Sequence, residues 1–328
     1  MATVRRERPT DRFPVAVAQA ASVLFDGPRS TEKAARLIRE AGRAGARLVL
    51  LPEAFIPGYP RGLSFGMVVG SRSAEGRALW QAYWENAVEV PGPLTEVLSE
   101  ACQEAGVFAA VGVIERDRSQ APGTLYCALL TFAPDGRLLG IHRKLKPTGS
   151  ERLIWGEGDG STLAVHETQI GRVGGLICWE NYMPLARMAL YAKGVEIHLA
   201  PTADARETWQ ATLRHIACEG RCFVLGANQF VTRSMYPADL PGVGELADQP
   251  EVLSRGGSAI VGPLGDVLAG PVYDREDLLL AEIDLTEVVR ARLDFDVAGH
   301  YARPDLFRLI VDETPKPSVR SRAPGMDW

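Results

Sequence analysis

The sequence predicts an α/β fold, a four-layer αββα sandwich in which two sheets face each other and helices cover the outside. Three observations predict it. Short apolar runs alternate with amphipathic stretches along most of the chain, the pattern of a sheet with covering helices. That alternation occurs twice, each time as βαβ units followed by a β-hairpin, and no linker separates the two halves. At 328 residues and 35.6 kDa, finally, the chain can bury the large core that such a fold needs.

In the first half, "FPVAVAQA" reads as a strand and "STEKAARLIREAGRAGA" as a helix with Ala34, Leu37, Ile38 and Ala41 at helical spacing. "RLVLLPE" is a short apolar strand running into Pro52 and Glu53. Residues 54–75 are rich in Gly and Pro, which predicts a long functional loop. "GPLTEVLSEACQEAG" is amphipathic and "VFAAVGVIER" strand-like. "LYCALLTFAPDGRLLGIHRKL" predicts a hairpin turning at Asp135 and Gly136 and ending in His142, Arg143 and Lys144.

The second half opens with the strand "VGGLICWE". "MPLARMALYAKG" then predicts a helix with Pro184 near its start, Gly194 past its end and an apolar stripe of Leu185, Met188, Ala189 and Ala192. "VEIHLAPTAD", "ETWQATLRHIACEGR" and "CFVLGANQF" read as strand, helix and strand. "GSAIVGPLGDVLAGP" and "DLLLAEIDL" close the pattern as a second hairpin pair. The chain divides into a leader over 1–12, one domain over 13–287 and a C-terminal extension over 288–328. In that extension, "HYARPDLFRLIV" is apolar enough to dock on another subunit.

Composition narrows the function. Hydrophobic residues make up 46% and charged residues 23%, and a net charge of −5 without a long basic run argues against nucleic acid as a partner. The N-terminus lacks the apolar core of a secretory signal, and no apolar run approaches the roughly 20 residues of a membrane span. A cytoplasmic protein is expected. Its five cysteines form no CxxC pair, which predicts free thiols.

Three polar residues end apolar strands. Cys178 closes "VGGLIC" just ahead of a helix start, where unpaired N–H groups favour negative charge. Alone it fits a packing cysteine as well as a nucleophile. Glu53 is costly to bury unless it meets a donor or a cation, yet a surface loop would also suit it. Lys144 is the obvious cation, although lysines at such turns are usually solvated. Sites in open α/β folds collect at the carboxyl ends of strands, and all three lie at such ends.

Here the chain resembles a known family. "LPEAFIPGYPRG", "HRKLKPTGSERLIWGEGDGS" and "GLICWENYMPLARMALYAKGVEIHLAPTAD" look like the three catalytic blocks of the nitrilase branch of the carbon–nitrogen hydrolases, and "RHIACEGRCFVLGANQF" and "GGSAIVGPLGDVLAGP" like later segments. The resemblance implies a Glu-Lys-Cys triad at Glu53, Lys144 and Cys178, with Glu151 orienting the lysine. It implies hydrolysis of an organic nitrile to acid and ammonia through a cysteine thioimidate and thioester, without metal or organic cofactor. Tyr59, Trp155 and Trp179 would line the pocket and Thr148 would border it. Dimers extending into spirals or larger homo-oligomers are also implied. A cyanide dihydratase, or an amidase or N-carbamoyl amidohydrolase, would share the triad, and a non-catalytic relative would share the fold.

Other polar residues read as structural. His215 is expected to be a satisfied structural histidine, Cys218 and Cys222 to pack, and "GEGDGS" to be a turn without phosphate-loop order.

Overall fold

A computed structural model of the chain describes residues 11–117, 121–317 and 319. Its first half contains β1 (Arg12–Gln19), α1 (Gly27–Arg43), β2 (Leu48–Leu50), a small ribbon of β3 (Met67–Val68) and β4 (Ser71–Arg72), α2 (Ala74–Glu85), α3 (Pro93–Ala105), β5 (Phe108–Arg116), β6 (Leu125–Phe132) and β7 (Leu138–Arg143). The second half contains β8 (Val165–Thr168), β9 (Gly171–Gly175), α4 (Pro184–Ala192), β10 (Ile197–Pro201), α5 (Thr208–Gly220), β11 (Phe223–Ala227), β12 (Phe230–Thr232), β13 (Val252–Val261), β14 (Val267–Tyr273), β15 (Asp277–Asp284) and α6 (Thr286–Ala291).

The strands form two large sheets, one in the order β15-β1-β2-β5-β6-β7 and the other β12-β13-β11-β10-β9-β8, with β14 paired to β13. Strand parity sorts the side chains into three apolar layers. Val15, Val17, Leu48 and Leu50 of the first sheet meet Ile197, Leu199, Phe223 and Leu225 of the second in the middle. Their alternates Ala16, Ala18 and Val49 pack under Ala34, Ile38 and Leu98 of α1 and α3. On the other flank Ala200 and Val224 pack under Leu190 and Leu213 of α4 and α5. This is the expected αββα sandwich.

Local chemistry sets the elements. Asp26 caps α1 by accepting from Arg29 N at 2.9 Å, and Ala34, Ile38 and Ala41 are buried as the spacing predicts. The predicted loop over 54–75 is interrupted by the β3/β4 ribbon, and α2 begins inside its end, capped by the Ser73 hydroxyl. Arg12 already pairs with Asp284, so the sheet starts inside the predicted leader; residues 1–10 lie outside the described residues.

Two expectations fail in whole or in part, for identifiable reasons. The stripe predicted for α4 holds only in part: Ala189 is buried and Met188 packs half-buried against the core, but Leu185 and Ala192 are exposed, and Ala186, Arg187, Leu190 and Tyr191 complete the buried face. A partly buried ion pair, Arg187 to Glu219 at 2.6 Å, turns a charged residue inward, and hydrophobic periodicity cannot register that. The second hairpin pair is also not closed on itself. β14 pairs with β13, but β15 crosses to the first sheet and runs antiparallel to β1, with Val17 opposite Leu279.

Gly112, in the middle of β5, shapes the path out of β2. A Cβ there would sit against the Pro52 carbonyl oxygen and 2.8 Å from both Ala54 N and Glu53 Cα. We expect Gly112→Ala to cost ~2 kcal/mol in chemical denaturation, since backbone atoms cannot rotate away from an added methyl. Wild-type stability in that variant would show that the approach is not needed.

Candidate active site

The carboxyl ends of the parallel strands β2, β7, β9 and β10 converge at one edge of the sandwich. Glu53 follows β2, Lys144 follows β7, Cys178 lies three residues beyond β9, and Thr202 follows β10. The two acidic and thiol positions sit at sharp bends. Cys178 has φ +51° and Ala54, next to Glu53, has φ +49°. An L-residue pays roughly 1–2 kcal/mol there, so the surrounding bonds must hold it.

β9 ends earlier than predicted, at Gly175, where a Cβ would meet Leu199 on β10. Cys178 then opens a 3₁₀ turn, Cys178–Tyr182, rather than pointing into the start of α4. Asn181 braces the bend, donating to Leu176 O at 2.8 Å and Cys178 O at 2.9 Å while its Oδ1 meets His198 Nε2 at 2.8 Å. Glu180 is buried and ties two segments together. Its carboxylate accepts from Ile177 N and Leu145 N, both at 2.6 Å, and meets His142 Nε2 at 3.0 Å. One carboxylate therefore clamps the residue before the cysteine to the residue after the lysine.

Lys144 is fully buried. Its Nζ donates to Glu53 Oε1 and Glu151 Oε2, each at 2.7 Å, and its backbone N–H donates to Cys127 O at 2.8 Å. Glu151 also accepts from Tyr59 OH and from Thr148 N, both at 2.7 Å. Glu53 is anchored from the second sheet by Gln229 Nε2, which donates to its carbonyl at 3.0 Å. Of the Glu53 carboxylate oxygens, Oε2 has no hydrogen-bond partner among the described residues. The Cys178 sulfur accepts from Thr202 Oγ1 at 3.1 Å.

Charge follows from this packing. Burial pushes the Glu53 carboxyl above its ordinary value; Lys144 opposes the shift, and Glu151 adds to it. Burial alone would lower Lys144, but the carboxylates around it outweigh that and hold it well above the usual lysine value. Burial and the nearby Glu53 charge push the Cys178 thiol up to about 12, with Lys144 and Thr202 pulling the other way. Two carboxylates already share one ammonium, so a resting thiolate would add an unbalanced negative charge. That balance favours the neutral thiol over the thiolate at Cys178.

A cavity of about 590 Å³ opens onto this cluster, with Tyr59, Thr148, Glu151, Cys178 and Trp179 on its wall. Trp179 is held by a bond from its indole N–H to Asp204 at 2.8 Å. Trp155 does not line this cavity. It is buried behind Tyr59, edge-on with ring centroids 5.7 Å apart, and faces an adjoining cavity of about 420 Å³. His215 is on the surface with Glu219 as its partner at 3.5 Å, away from the cavity wall. Cys222 is buried as expected, while Cys218 is half-exposed. "GEGDGS" runs without regular structure to Asp159, which caps a 3₁₀ turn over Gly160–Thr162.

Sequence reasoning found the four charged and thiol residues but missed Thr202, Glu180, Gln229 and Cys127, whose sulfur lies 3.6 Å from Glu53 Oε1. Thr202 lies in the quoted "LAPTAD", at a strand end like the others, and that signal could have found it. Among the described residues no group of three or more His, Cys, Asp or Glu could hold a metal ion.

Residues 14–293 match the carbon–nitrogen hydrolase family. An aliphatic nitrilase of Sinorhizobium fredii is 53% identical over 95% of this chain and 99% of its own length. A bifunctional nitrilase/nitrile hydratase of Lupinus angustifolius is 51% identical over 91% of this chain and 86% of its own. Among solved structures, the NitFhit protein of C. elegans matches with a TM-score of 0.70 at 23% identity, covering 94% of this chain and 69% of that one. The chain belongs to the carbon–nitrogen hydrolase family, in the branch that holds these nitrilases.

Proposed function

We propose that the protein is a nitrilase that hydrolyses an organic nitrile to its carboxylic acid and ammonia, with Cys178 as nucleophile. The observation that carries this reading is a thiol on the wall of a cavity with, buried behind it, a carboxylate that has an unpartnered oxygen and an ammonium that the carboxylate holds. Similarity of about half the residues to proteins named nitrilases supports it.

The steps follow from the residues. Glu53 takes the thiol proton as the Cys178 sulfur adds to the nitrile carbon, and that proton passes to the nitrile nitrogen to give a thioimidate. Water, deprotonated by Glu53, adds to the thioimidate carbon. The tetrahedral species is stabilised by Lys144 and by the backbone N–H of Trp179, then loses ammonia to leave a thioester. A second water, again activated by Glu53, releases the acid, and the sulfur recovers its proton. Two waters are consumed and one ammonia leaves. Glu151 holds Lys144 between the two carboxylates, and Tyr59 and Thr148 hold Glu151. If the tetrahedral species loses the sulfur before ammonia, the product is an amide, and the name of the Lupinus relative makes that exit worth measuring.

Purified protein incubated with an arylacetonitrile, aliphatic mono- and dinitriles, cyanide and amides should release ammonia and acid from at least one organic nitrile. Ammonia from amides and from no nitrile would replace this reading with an amidase, and ammonia from cyanide alone with a cyanide dihydratase.

A pH profile probes the base. Glu53 must be ionised to act and its pKa is raised, so kcat/KM should fall on acidification with a midpoint above the ordinary carboxylate value. The Glu151 charge contributes to that elevation, so Glu151→Gln should move the acid limb to lower pH while reducing the rate. A limb that stays in place would remove Glu53 from the role of base.

The same reading puts the enzyme in the cytoplasm, a setting that suits five unpaired thiols. It also assigns "HYARPDLFRLIV" to self-association into dimers and longer spirals. Tyr301, Leu306, Phe307 and Ile310 are exposed on it, and light scattering on a chain truncated before His300 should report smaller particles.

A further inference from the structure

We propose that Arg61 receives a carboxylate on the substrate, so that this enzyme prefers nitriles carrying an anionic group a few carbons from the C≡N bond. The proposal rests on the nitrilase reading and deepens it.

Arg61 lies on the wall of both the catalytic cavity and the adjoining one. Its guanidinium donates to the Ala203 carbonyl and stands 5.4 Å from the centre of the Tyr59 ring. Both anchors belong to the active site. Tyr59 bonds Glu151, and Ala203 follows Thr202, whose hydroxyl is 3.1 Å from the Cys178 sulfur.

What sets Arg61 apart is its lack of a counter-ion. Each carboxylate on the wall of the catalytic cavity is already taken: Glu151 by Lys144 at 2.7 Å, Asp204 by Arg206 at 2.8 Å and Asp274 by Arg255 at 3.3 Å. Arg61 has no acidic partner among the described residues. It is only half-exposed, and most of its five N–H groups remain to be satisfied after the bond to Ala203. Their fork geometry fits a carboxylate.

Charge along the cavity gives the substrate a direction. At the reacting end two carboxylates, Glu53 and Glu151, share a single ammonium, so that end repels an anion. The uncompensated cation is Arg61. A cyanocarboxylate therefore enters with its carboxylate toward Arg61 and its nitrile toward Cys178, and the Tyr59 and Trp179 rings offer apolar surface to the methylenes between.

The test compares 4-cyanobutanoate with its neutral counterparts pentanenitrile and methyl 4-cyanobutanoate, by ammonia release from the full chain. A charge-assisted pair in a partly buried site should give the anion about 10- to 100-fold higher kcat/KM. Arg61→Gln should collapse that ratio toward one, and Arg61→Lys should restore part of it. Melting curves of the variants check that they fold. Wild-type protein that turns over neutral nitriles without favouring the carboxylate overturns the proposal and leaves the nitrilase reading intact. So does an Arg61→Gln variant that lowers both substrates in proportion, because Arg61 would then only brace Tyr59 and Ala203. No turnover of any nitrile overturns both.

Discussion

Replacing Cys178 with alanine is expected to lower nitrile turnover by on the order of 10⁴-fold or more, with the protein still folded. The sulfur forms the bond on which both hydrolytic stages depend, and nothing nearby can take its place. Cys127 is the other thiol in the cluster, but it is fully buried, is not on the cavity wall, and its pKa is pushed well above the ordinary value by burial and by Glu53. Cys178→Ser tests the nucleophile more finely. A hydroxyl can keep the Thr202 bond, yet it is a poorer nucleophile and a poorer leaving group, so its rate should also collapse. Melting temperatures near wild type in both variants would separate chemistry from folding. Activity within tenfold of wild type in Cys178→Ala would remove the covalent mechanism.

The second large effect belongs to Lys144, and it is two effects at once. Lys144→Met keeps the volume but leaves Glu53 and Glu151 buried without their shared cation. Breaking a buried ion pair from one side costs ~3–5 kcal/mol, so the variant should melt well below wild type. The loss has a pH sign. Without Lys144 the Glu53 pKa rises further, so the folded state is favoured while Glu53 is protonated and loses that advantage as pH rises from the unfolded value through the raised folded one. The deficit should therefore be larger at pH 8 than at pH 5. Turnover should fall by about 10³-fold, because a protonated Glu53 cannot act as base and the tetrahedral species loses a donor. An equal melting deficit at both pH values would mean that Lys144 does not set the charge state of Glu53.

The sequence made the site's charged members visible because each interrupts an apolar strand, where a polar residue must have a reason. Glu53, Lys144 and Cys178 stand out on that rule, and their convergence follows from β2, β7 and β9 all ending at one edge. Gln229 and Arg61 act through contacts with residues far away in the chain, such as the Gln229 bond to Glu53 across 176 positions. No local pattern encodes such a contact. The fold divides in the same way. Parity along Val15, Ala16, Val17 and Ala18 announces a strand buried on both faces, but a strand does not name its neighbour, and β15 pairs with β1 rather than closing on β14. The α4 stripe holds only at Met188 and Ala189, because Arg187 turns inward to Glu219 and Leu185 is left outside. The bend at Cys178 was legible as a place where the strand stops, but not as a left-handed residue opening a 3₁₀ turn.

Mass mapping of the covalent intermediate tests the central claim most directly. Wild-type protein quenched with acid during turnover of a nitrile, then digested, should carry an added mass equal to the substrate's thioimidate or thioester on the peptide containing Cys178, and Cys178→Ala should carry none. Steady turnover with no adduct, or an adduct on Cys127 or any other residue, would contradict the account.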